Sequence, residues 1–196
     1  MIKRILITGA SGFIGRHVCA EFASKGYEII GMGHGAWPDW KNDGLAEWHQ
    51  LDIELDALIK FAGKPELIIH CAGGSSVGLS ISQPALDFDK SVKTTSNVLE
   101  YIRLYSPKTK LIFPSSTAVY GQVTRLPISE DEVISPISPY GFHKYMAESL
   151  CRLYSSQYSV SVSIVRLFSV YGIGLKKQLL WDACQKLMNG DDYFMG

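Results

Sequence analysis

TGASGFIG, residues 8–15, is the stretch that decides the fold. It continues an apolar, β-branched run of strand length at residues 4–8 and opens a segment of helical character near residues 12–25. Glycine permits a sharp turn and a close backbone approach, and the free N–H groups at a helix start attract a pyrophosphate. A strand, a glycine turn and a helix in this order predict a dinucleotide site. Its predicted residues are Gly9, Ser11, Gly12, Phe13, Ile14 and Gly15.

Four further apolar runs of strand length follow, at residues 28–32, 67–71, 110–113 and 162–167. They are continuous rather than alternating, which is typical of parallel strands buried on both faces. Helix-like stretches lie between them near residues 54–62, 84–105 and 139–158, and a last one spans 176–188. This alternation predicts an α/β fold, a Rossmann-type doubly wound parallel sheet with helices on both faces and the strand order 3-2-1-4-5.

The composition limits the class of protein. With 196 residues, 46% of them hydrophobic and 19% charged, the chain is one domain long and can bury a core. Its 19 basic and 19 acidic residues give a net charge of +0, without the basic surplus of a nucleic-acid binder. No apolar run in the sequence suits a membrane span or a signal-peptide core. We predict a cytoplasmic protein with no nucleic-acid and no membrane partner.

Four cysteines, Cys19, Cys71, Cys151 and Cys184, are widely spaced along the chain. They form no CxxC pair, and no histidine accompanies them at the spacing of metal ligands. We therefore predict reduced core residues and no metal site.

The second strand leads into Gly33 and His34, where dinucleotide sites usually place a carboxylate that holds the adenosine ribose. The space beside Gly33, with His34 or Lys41 as a cation for a 2′-phosphate, favours NADP over NAD, although His34 can equally be an ordinary loop residue. Asp52, followed by Ile53, is a candidate for binding the adenine amino group. An N-cap of the next helix is the alternative interpretation of Asp52.

Small and hydroxyl-bearing residues follow the next two strands. Cys71, Ala72 and Gly73 would let a nucleotide lie against the carboxyl end of the sheet, where open α/β sheets bind ligands. We interpret the preceding His70 as a core histidine rather than a catalyst. The hydroxyls of residues 115–117 reach the same rim, and helix capping or a turn is their alternative role.

Tyr140 and Lys144 stand four residues apart, on one face of a predicted helix. A tyrosine has an ordinary pKa of about 10 and is a poor base at neutral pH. An adjacent ammonium and a cationic nicotinamide would both favour the phenolate and lower this pKa. The pair is thus a candidate for proton transfer.

Together with the glycine turn, four motifs make the chain resemble the extended short-chain dehydrogenase/reductase superfamily, in particular its NAD-dependent epimerase/dehydratase family acting on nucleotide sugars. They are HCAG at 70–73, SSTAVYG at 115–121, SPYGFHKYMAE at 138–148 and RLFSVYG at 166–172. The resemblance implies that Tyr140 is the acid/base, that Lys144 holds the nicotinamide ribose and lowers the Tyr140 pKa, and that Ser116 binds the reacting sugar hydroxyl. It adds Phe168 to the cofactor site and makes substrate-binding candidates of Ser75, Ser76, Val77, Ser116, Thr117 and Ser169.

Three departures from the family pattern limit the assignment. Thr117 and Ala118 replace the acidic pair of the dehydratases, which argues against water elimination. Ser169 replaces an asparagine that contacts the sugar diphosphate in the family. Family members also continue further, so we predict a cofactor domain at residues 1–174 and the start of a truncated substrate-binding region at 175–196.

The resemblance implies an NAD(P)-dependent nucleotide-sugar 4-epimerase. The alternatives are an NADPH-dependent 4-keto nucleotide-sugar reductase and a non-catalytic dinucleotide-binding fragment. It also implies a homodimer that pairs the helices near 84–105 and 139–158, for which we predict exposed apolar surface; burial within the monomer is the alternative. The predicted surface residues are Val92, Val98, Leu99, Ile102, Tyr105, Tyr145, Met146, Leu150, Leu153 and Tyr154.

Overall fold

The structure is a computed structural model and describes residues 3–190. Its centre is a six-stranded, all-parallel sheet with the order β3-β2-β1-β4-β5-β6. The predicted α/β fold of Rossmann type is therefore confirmed. The strands are β1 Arg4–Thr8, β2 Glu28–Gly33, β3 Glu47–Gln50, β4 Leu67–His70, β5 Lys110–Ser116 and β6 Ser161–Leu167.

The sequence analysis missed β3, and the predicted strand order was therefore wrong. The segment 67–71, taken as the third strand, is β4 and pairs with β1 on the side opposite β2. β3 reads EWHQ and contains no fully buried residue. An edge strand packed on one face needs no continuous apolar run, so the pattern used to find the other strands did not detect it.

Helices cover both faces of the sheet. The prolines at the starts of α4 and α6 occupy the first turn, as predicted, where a missing N–H group costs nothing. The Ser138 hydroxyl accepts the Gly141 N–H at 3.1 Å and caps α6. A π-helical turn, Asp89–Lys93, joins α4 to α5, and a 3₁₀ turn, Thr117–Val119, follows β5. The helices are α1 Phe13–Ser24, α2 Leu55–Phe61, α3 Val77–Ser82, α4 Pro84–Phe88, α5 Thr94–Tyr105, α6 Pro139–Tyr158 and α7 Gln178–Met188.

Two apolar cores lie on the two faces of the sheet, because successive side chains of a strand point in opposite directions. Leu6 and Ile30 belong to the core beneath α5 and α6, whereas Ile5 and Ile29 belong to the core beneath α1. The central strands are thus buried on both faces, which explains their continuous apolar sequence.

The C-terminal part of the described chain is less buried than the sequence analysis predicted. In β6, Ser161, Ser163 and Val165 are exposed, so this strand alternates instead of being buried on both faces. No residue of α7 is buried, and Cys184 on this helix is exposed, which corrects its prediction as a core thiol. Cys19 and Cys151 are buried core residues, as predicted. Residues 191–196, the end of the predicted substrate-binding region, lie outside the described residues.

The helix surfaces also differ from the prediction. Val92, Val98, Leu99 and Ile102 are buried within the monomer, which corrects their assignment to an exposed surface. Tyr105, Met146 and Leu153 are exposed, and the other three predicted surface residues are half-buried.

Among residues 3–190, no helix combines the length and the apolar character needed to cross a membrane.

Candidate active site

A cleft of about 470 Å³ opens at the carboxyl edge of the sheet. Its walls come from the glycine turn, the ends of β2, β4 and β5, the first turns of α6, and the chain between β6 and α7. The carboxyl edge is the face where open α/β sheets bind ligands. The predicted residues that line it are Gly9, Ser11, Gly12, Phe13, Ile14, Gly15, Gly33, His34, Ile53, Cys71, Ala72, Gly73, Ser75, Tyr140, Lys144, Phe168 and Ser169.

The glycine turn leaves a space that side chains would close. Gly9 has a φ of +66°, and a Cβ there would lie 2.6 Å from the Ala72 nitrogen. A Cβ at Gly15 would collide with the Gly9 carbonyl oxygen. The N-cap of α1 is Gly12, and neither a capping side chain nor an acidic residue occupies the first turn of this helix. The first N–H groups of α1 are therefore available to a phosphate, and the turn fits the pyrophosphate of a dinucleotide.

A pair that was not predicted from the sequence lies beside the end of the cleft next to β2: His34 lines the cleft, whereas Asp52, a predicted cofactor residue, lies outside its lining. His34 Nδ1 lies 3.1 Å from Asp52 Oδ1, and both side chains are largely exposed. The N-cap of α2 is Glu54, so the capping interpretation of Asp52 is wrong. Lys41 lies over the Trp40 ring at 5.4 Å. The Asp52 carboxylate beside His34 would repel a 2′-phosphate at this end of the cleft.

His70 is a core histidine, as predicted. Its Nδ1 lies 2.6 Å from the Thr8 hydroxyl, and its Nε2 lies 3.3 Å from the Thr94 hydroxyl. Burial, with Lys144 nearby, lowers the His70 pKa to about 3, so the ring is neutral. Thr8 also accepts the Ala72 N–H at 3.4 Å. The network holds the end of β4 against the glycine turn.

Tyr140 is half-buried in the first turn of α6, where its N–H donates to the Ser80 hydroxyl at 3.0 Å. Burial raises the Tyr140 pKa above its ordinary value; a hydrogen bond with Ser116 acts against this rise, and the Asp87 carboxylate adds to it. The sequence analysis expected the opposite direction, from the charge of Lys144. Burial dominates instead, because a buried phenolate is poorly solvated.

Lys144 lies one helical turn further, buried against β5. Its Nζ donates to the Pro114 carbonyl at 3.0 Å and lies 5.1 Å from the centre of the Phe113 ring. Burial lowers the Lys144 pKa to about 8, although Cys71 and Asp87 oppose this shift. The ammonium is thus held in the wall of the cleft beside Cys71 and can donate to a ligand there.

Beneath the site lies a buried carboxylate that the sequence analysis did not assign. Glu148 Oε1 accepts the Ser115 hydroxyl at 2.6 Å, and Arg166 donates to both Glu148 oxygens at 3.0 and 2.8 Å. Burial opposes ionisation, but the hydrogen bonds from Arg166 and Ser115 hold the Glu148 pKa below its ordinary value. The network ties α6 to β5 and β6 directly below Ser116 and Lys144.

Four predicted substrate residues lie outside the cleft lining: Ser76, Val77, Ser116 and Thr117. The Ser76 hydroxyl caps α3, and the Ser116 hydroxyl accepts the Ala118 N–H at 3.2 Å at the start of the 3₁₀ turn. The capping role considered for Ser116 is therefore real, and its contact with Tyr140 accompanies it.

The cleft also includes residues that the sequence analysis missed. They lie on several helices, strands and loops, and no local pattern reveals that these pack together: Gly74, Lys90, Thr94, Pro114, Leu167, Val170, Leu175, Lys177 and Gln178. Ser115, predicted at the same rim, also lines the cleft. Lys90 and Lys177 add positive charge to the wall. Within residues 3–190, no group of three or more His, Cys, Asp or Glu side chains is placed to hold a metal ion.

The parallel sheet, with a glycine turn after its first strand and the cleft above it, defines a Rossmann-type dinucleotide-binding protein. The model of the NAD dependent epimerase/dehydratase family matches residues 5–187, and the chain belongs to this family.

Known relatives and structures agree with this membership. A relative from Methanocaldococcus jannaschii, named "Putative UDP-glucose 4-epimerase", is 37% identical over 86% of this chain and 56% of its own length. The UDP-glucose 4-epimerase of Brucella ovis, solved in complex with NAD, has a TM-score of 0.76 and 31% identity over 85% of this chain and 52% of that chain. The Thermotoga maritima UDP-glucose 4-epimerase, solved with UDP-glucose, has a TM-score of 0.84 and 27% identity; the match covers 96% of this chain and 64% of that chain. The chain spans about half the length of the curated relatives it matches.

Proposed function

We propose that this chain forms the cofactor half of an NAD-dependent nucleotide-sugar 4-epimerase. The observation that carries the proposal is the placement of Tyr140 and Lys144 in the same cleft as the glycine turn. A dinucleotide whose pyrophosphate lies on α1 extends along the sheet edge towards α6. The relatives and neighbours named above are UDP-glucose 4-epimerases, which supports the same reaction class.

For the cofactor we propose NAD rather than NADP. The Asp52 carboxylate beside His34 would repel the 2′-phosphate that distinguishes NADP from NAD. Gly33 packs against the glycine turn, where an added Cβ would lie 3.3 Å from Gly9 Cα. The Brucella ovis neighbour was solved with NAD. Asp52 and Ile53 would contact the adenosine end, and Lys144 the nicotinamide ribose.

Bound NAD would supply the hydride chemistry, acceptance from a sugar carbon and return to it. The protein's own groups manage the proton and the orientation. As a phenolate, Tyr140 would take the proton of the sugar hydroxyl at its oxygen, become the phenol and give the proton back, and Ser116, in contact with Tyr140, would orient that hydroxyl. The Lys144 ammonium and the cationic cofactor would lower the raised pKa of Tyr140 once the site is filled.

The remaining assignments rest on position. Ser75 and Ser169, which line the cleft, are proposed substrate residues, and so are Ser76, Val77 and Thr117, which lie outside its lining. Lys177 Nζ lies 3.5 Å from the Ser75 hydroxyl and supplies a charge beside Ser169, where the family's asparagine is missing. We propose residues 175–196 as the start of a substrate-binding region, and a homodimer in the cytoplasm as the working state.

One experiment tests the function. The purified protein is denatured, the released dinucleotide is identified by mass, and fresh protein is incubated with UDP-glucose. We expect released NAD and formation of UDP-galactose without net production of NADH, because an epimerase regenerates its cofactor. Stoichiometric consumption of NADPH with a 4-keto sugar would instead identify a reductase. Bound NAD with no conversion of any sugar nucleotide would identify a non-catalytic binding module.

A further inference from the structure

A buried pair of side chains beside the cleft has no part in the function proposed above. His143 Nδ1 lies 2.6 Å from Asp87 Oδ2, and the side chains are only 13% and 7% exposed. Asp87 belongs to α4 and His143 to α6, so the pair joins two helices that are distant in the sequence. The Phe88 ring packs edge-on against His143 at 5.6 Å and shields the pair from solvent.

The second oxygen of Asp87 faces the cleft wall. A Cβ on Gly74 would coincide with Asp87 Oδ1, so the loop after β4 lies directly on the carboxylate. The Gly74 N–H donates to the Ser91 hydroxyl at 3.0 Å, which holds the same loop from the π-helical turn. Gly73, Gly74 and Ser75 line the cleft. Asp87 thus supports the wall of the proposed cofactor site.

On its other side, the pair holds the helix that carries Tyr140 and Lys144. Ser80 donates to the Val77 carbonyl at 2.7 Å and accepts the Tyr140 N–H, which ties α3 to the first turn of α6. His143 makes the second tie, less than one turn further along α6, to Asp87. These two contacts, at Tyr140 and His143, lie beside the face of α6 that carries Tyr140 and Lys144. They therefore restrain the rotation of α6 and the distance between α6 and the loop after β4.

The Asp87 carboxylate also acts through its charge. Burial is the largest influence on the pKa of both Tyr140 and Lys144, and Asp87 raises the pKa of both. Of the elements packed around the pair, α3 contributes no ionisable side chain, and the π-helical turn contributes Asp89, Lys90 and Lys93, which are exposed. On α6, the buried Glu148 is neutralised by its partner Arg166. Asp87 is thus a buried carboxylate close to Tyr140, in contact with His143 and near the buried Lys144 ammonium, whose pKa it raises.

We propose that Asp87 and His143 are a positioning pair, which sets the placement of α6 against the loop after β4 and the charge around Tyr140 and Lys144. The inference rests on the proposed function only for the chemical roles of Tyr140 and Lys144. The geometry of the pair and the ionisation of Tyr140 can be measured without turnover.

The electrostatic role of the Asp87 carboxylate is tested by Asp87→Asn. This change keeps the size of the side chain and an oxygen that can accept a hydrogen bond from His143. The ionisation of Tyr140 is followed by NMR of protein labelled with ¹³Cζ-tyrosine, and Tyr140→Phe identifies the signal. We expect the Tyr140 midpoint to fall, because Asp87→Asn removes a negative charge that raises the Tyr140 pKa. Asp89→Asn, an exposed change two residues away, is the matched control and should leave the midpoint in place. Equal midpoints in Asp87→Asn, Asp89→Asn and the unsubstituted protein would overturn the electrostatic role.

The positioning role is tested with two substitutions of His143, one that removes its contact with Asp87 and one that keeps a hydrogen-bond donor there. His143→Ala leaves Asp87 without its partner, whereas His143→Asn keeps an N–H donor close to the Nδ1 position. We expect His143→Ala to weaken NAD binding roughly tenfold in calorimetry, and His143→Asn to recover most of that loss. NAD affinity unchanged in a folded His143→Ala variant would refute positioning. If His143→Ala fails to fold, NAD affinity is compared between His143→Asn and Asp87→Asn. Of these two variants, only His143→Asn keeps the buried Asp87 carboxylate.

These measurements separate the two proposals. A protein that neither binds NAD nor converts UDP-glucose contradicts the proposed function, and its Tyr140 titration still decides the role of Asp87. If the protein converts UDP-glucose while Asp87→Asn leaves both the Tyr140 midpoint and the pH profile of kcat unchanged, the proposed function stands and the electrostatic role of Asp87 is refuted.

Discussion

The buried Lys144 lowers the stability of the folded protein, although it is placed in the proposed site. Its pKa is lowered to about 8 by burial, so the folded protein binds a proton at this site less readily than the unfolded chain does. A depressed lysine pKa therefore destabilises the folded state at neutral pH. The penalty is complete below about pH 8 and fades as the pH rises towards the ordinary value of about 10.4.

Lys144→Met should accordingly stabilise the cofactor-free protein at pH 7, by about 1–3 kcal/mol after the lost hydrogen bond to Pro114 is considered. The gain should shrink as the pH approaches 10, and NAD binding should weaken at the same time. Thermal unfolding at the two pH values measures the first effect, and calorimetry the second. Lys110→Met, at an exposed position of β5, is the control; equal stability of both variants at pH 7 would contradict the burial of the Lys144 charge.

Tyr140→Phe tests the proposed role of Tyr140 in proton transfer. It removes the phenol oxygen and leaves the ring, so we expect kcat to fall by about 10²- to 10⁴-fold with NAD affinity nearly unchanged. Steady-state kinetics with UDP-glucose and calorimetry with NAD measure the two quantities. If the variant kept a tenth or more of the activity, Tyr140 would not be the acid/base.

At the scale of elements, the turn between β1 and α1 is the most constrained backbone of the site. Gly15→Ala should improve the helix propensity of α1 but push a Cβ into the Gly9 carbonyl, and the collision decides the outcome. We expect a loss of about 1–3 kcal/mol in unfolding free energy and a strong loss of NAD binding. Gly78→Ala in α3 is the matched control, because its Cβ would meet nothing closer than the Ser76 hydroxyl at 3.9 Å. Urea unfolding of both variants provides the measurement, and equal stabilities would exclude the steric explanation.

The elements also differ in how well their sequence describes them. α6 has a serine cap, a first-turn proline and a long helical pattern, all within residues 138–158, and its start is as predicted. β3 has three half-buried residues and one exposed residue, and it is a strand because it pairs with β2. Strand formation at such an edge depends on the neighbouring strand more than on its own residues.

At the scale of the whole molecule, the proposed homodimer needs an apolar surface that the monomer leaves open. On α6, Met146 and Leu153 are 42% and 48% exposed and can serve that purpose. Leu99 cannot, because it is fully buried and a charge there would unfold the monomer.

We expect light scattering at micromolar concentration to give a dimer mass, and Met146→Glu with Leu153→Glu to give a folded monomer. Leu126→Glu, on an exposed loop, is the control and should leave the dimer intact. A monomer mass for the unsubstituted protein, or a dimer that survives the double change, would refute this interface.

The features that the sequence by itself determined are local ones. The glycine turn, the helical spacing of Tyr140 and Lys144, the proline starts of α4 and α6, and the apolar central strands follow from backbone geometry and from residues within one or two turns of each other. The family resemblance rests on the same short motifs, which is why the α/β class and most of the cleft lining could be predicted.

What only the tertiary structure decided depends on groups far apart in the chain. The pairing of His34 with Asp52, of Asp87 with His143 and of Glu148 with Arg166 arises where different elements meet. The direction of the Tyr140 pKa shift belongs here as well. It is set by how completely folding removes water from the phenol, and the number of residues between Tyr140 and Lys144 carries no information about that burial.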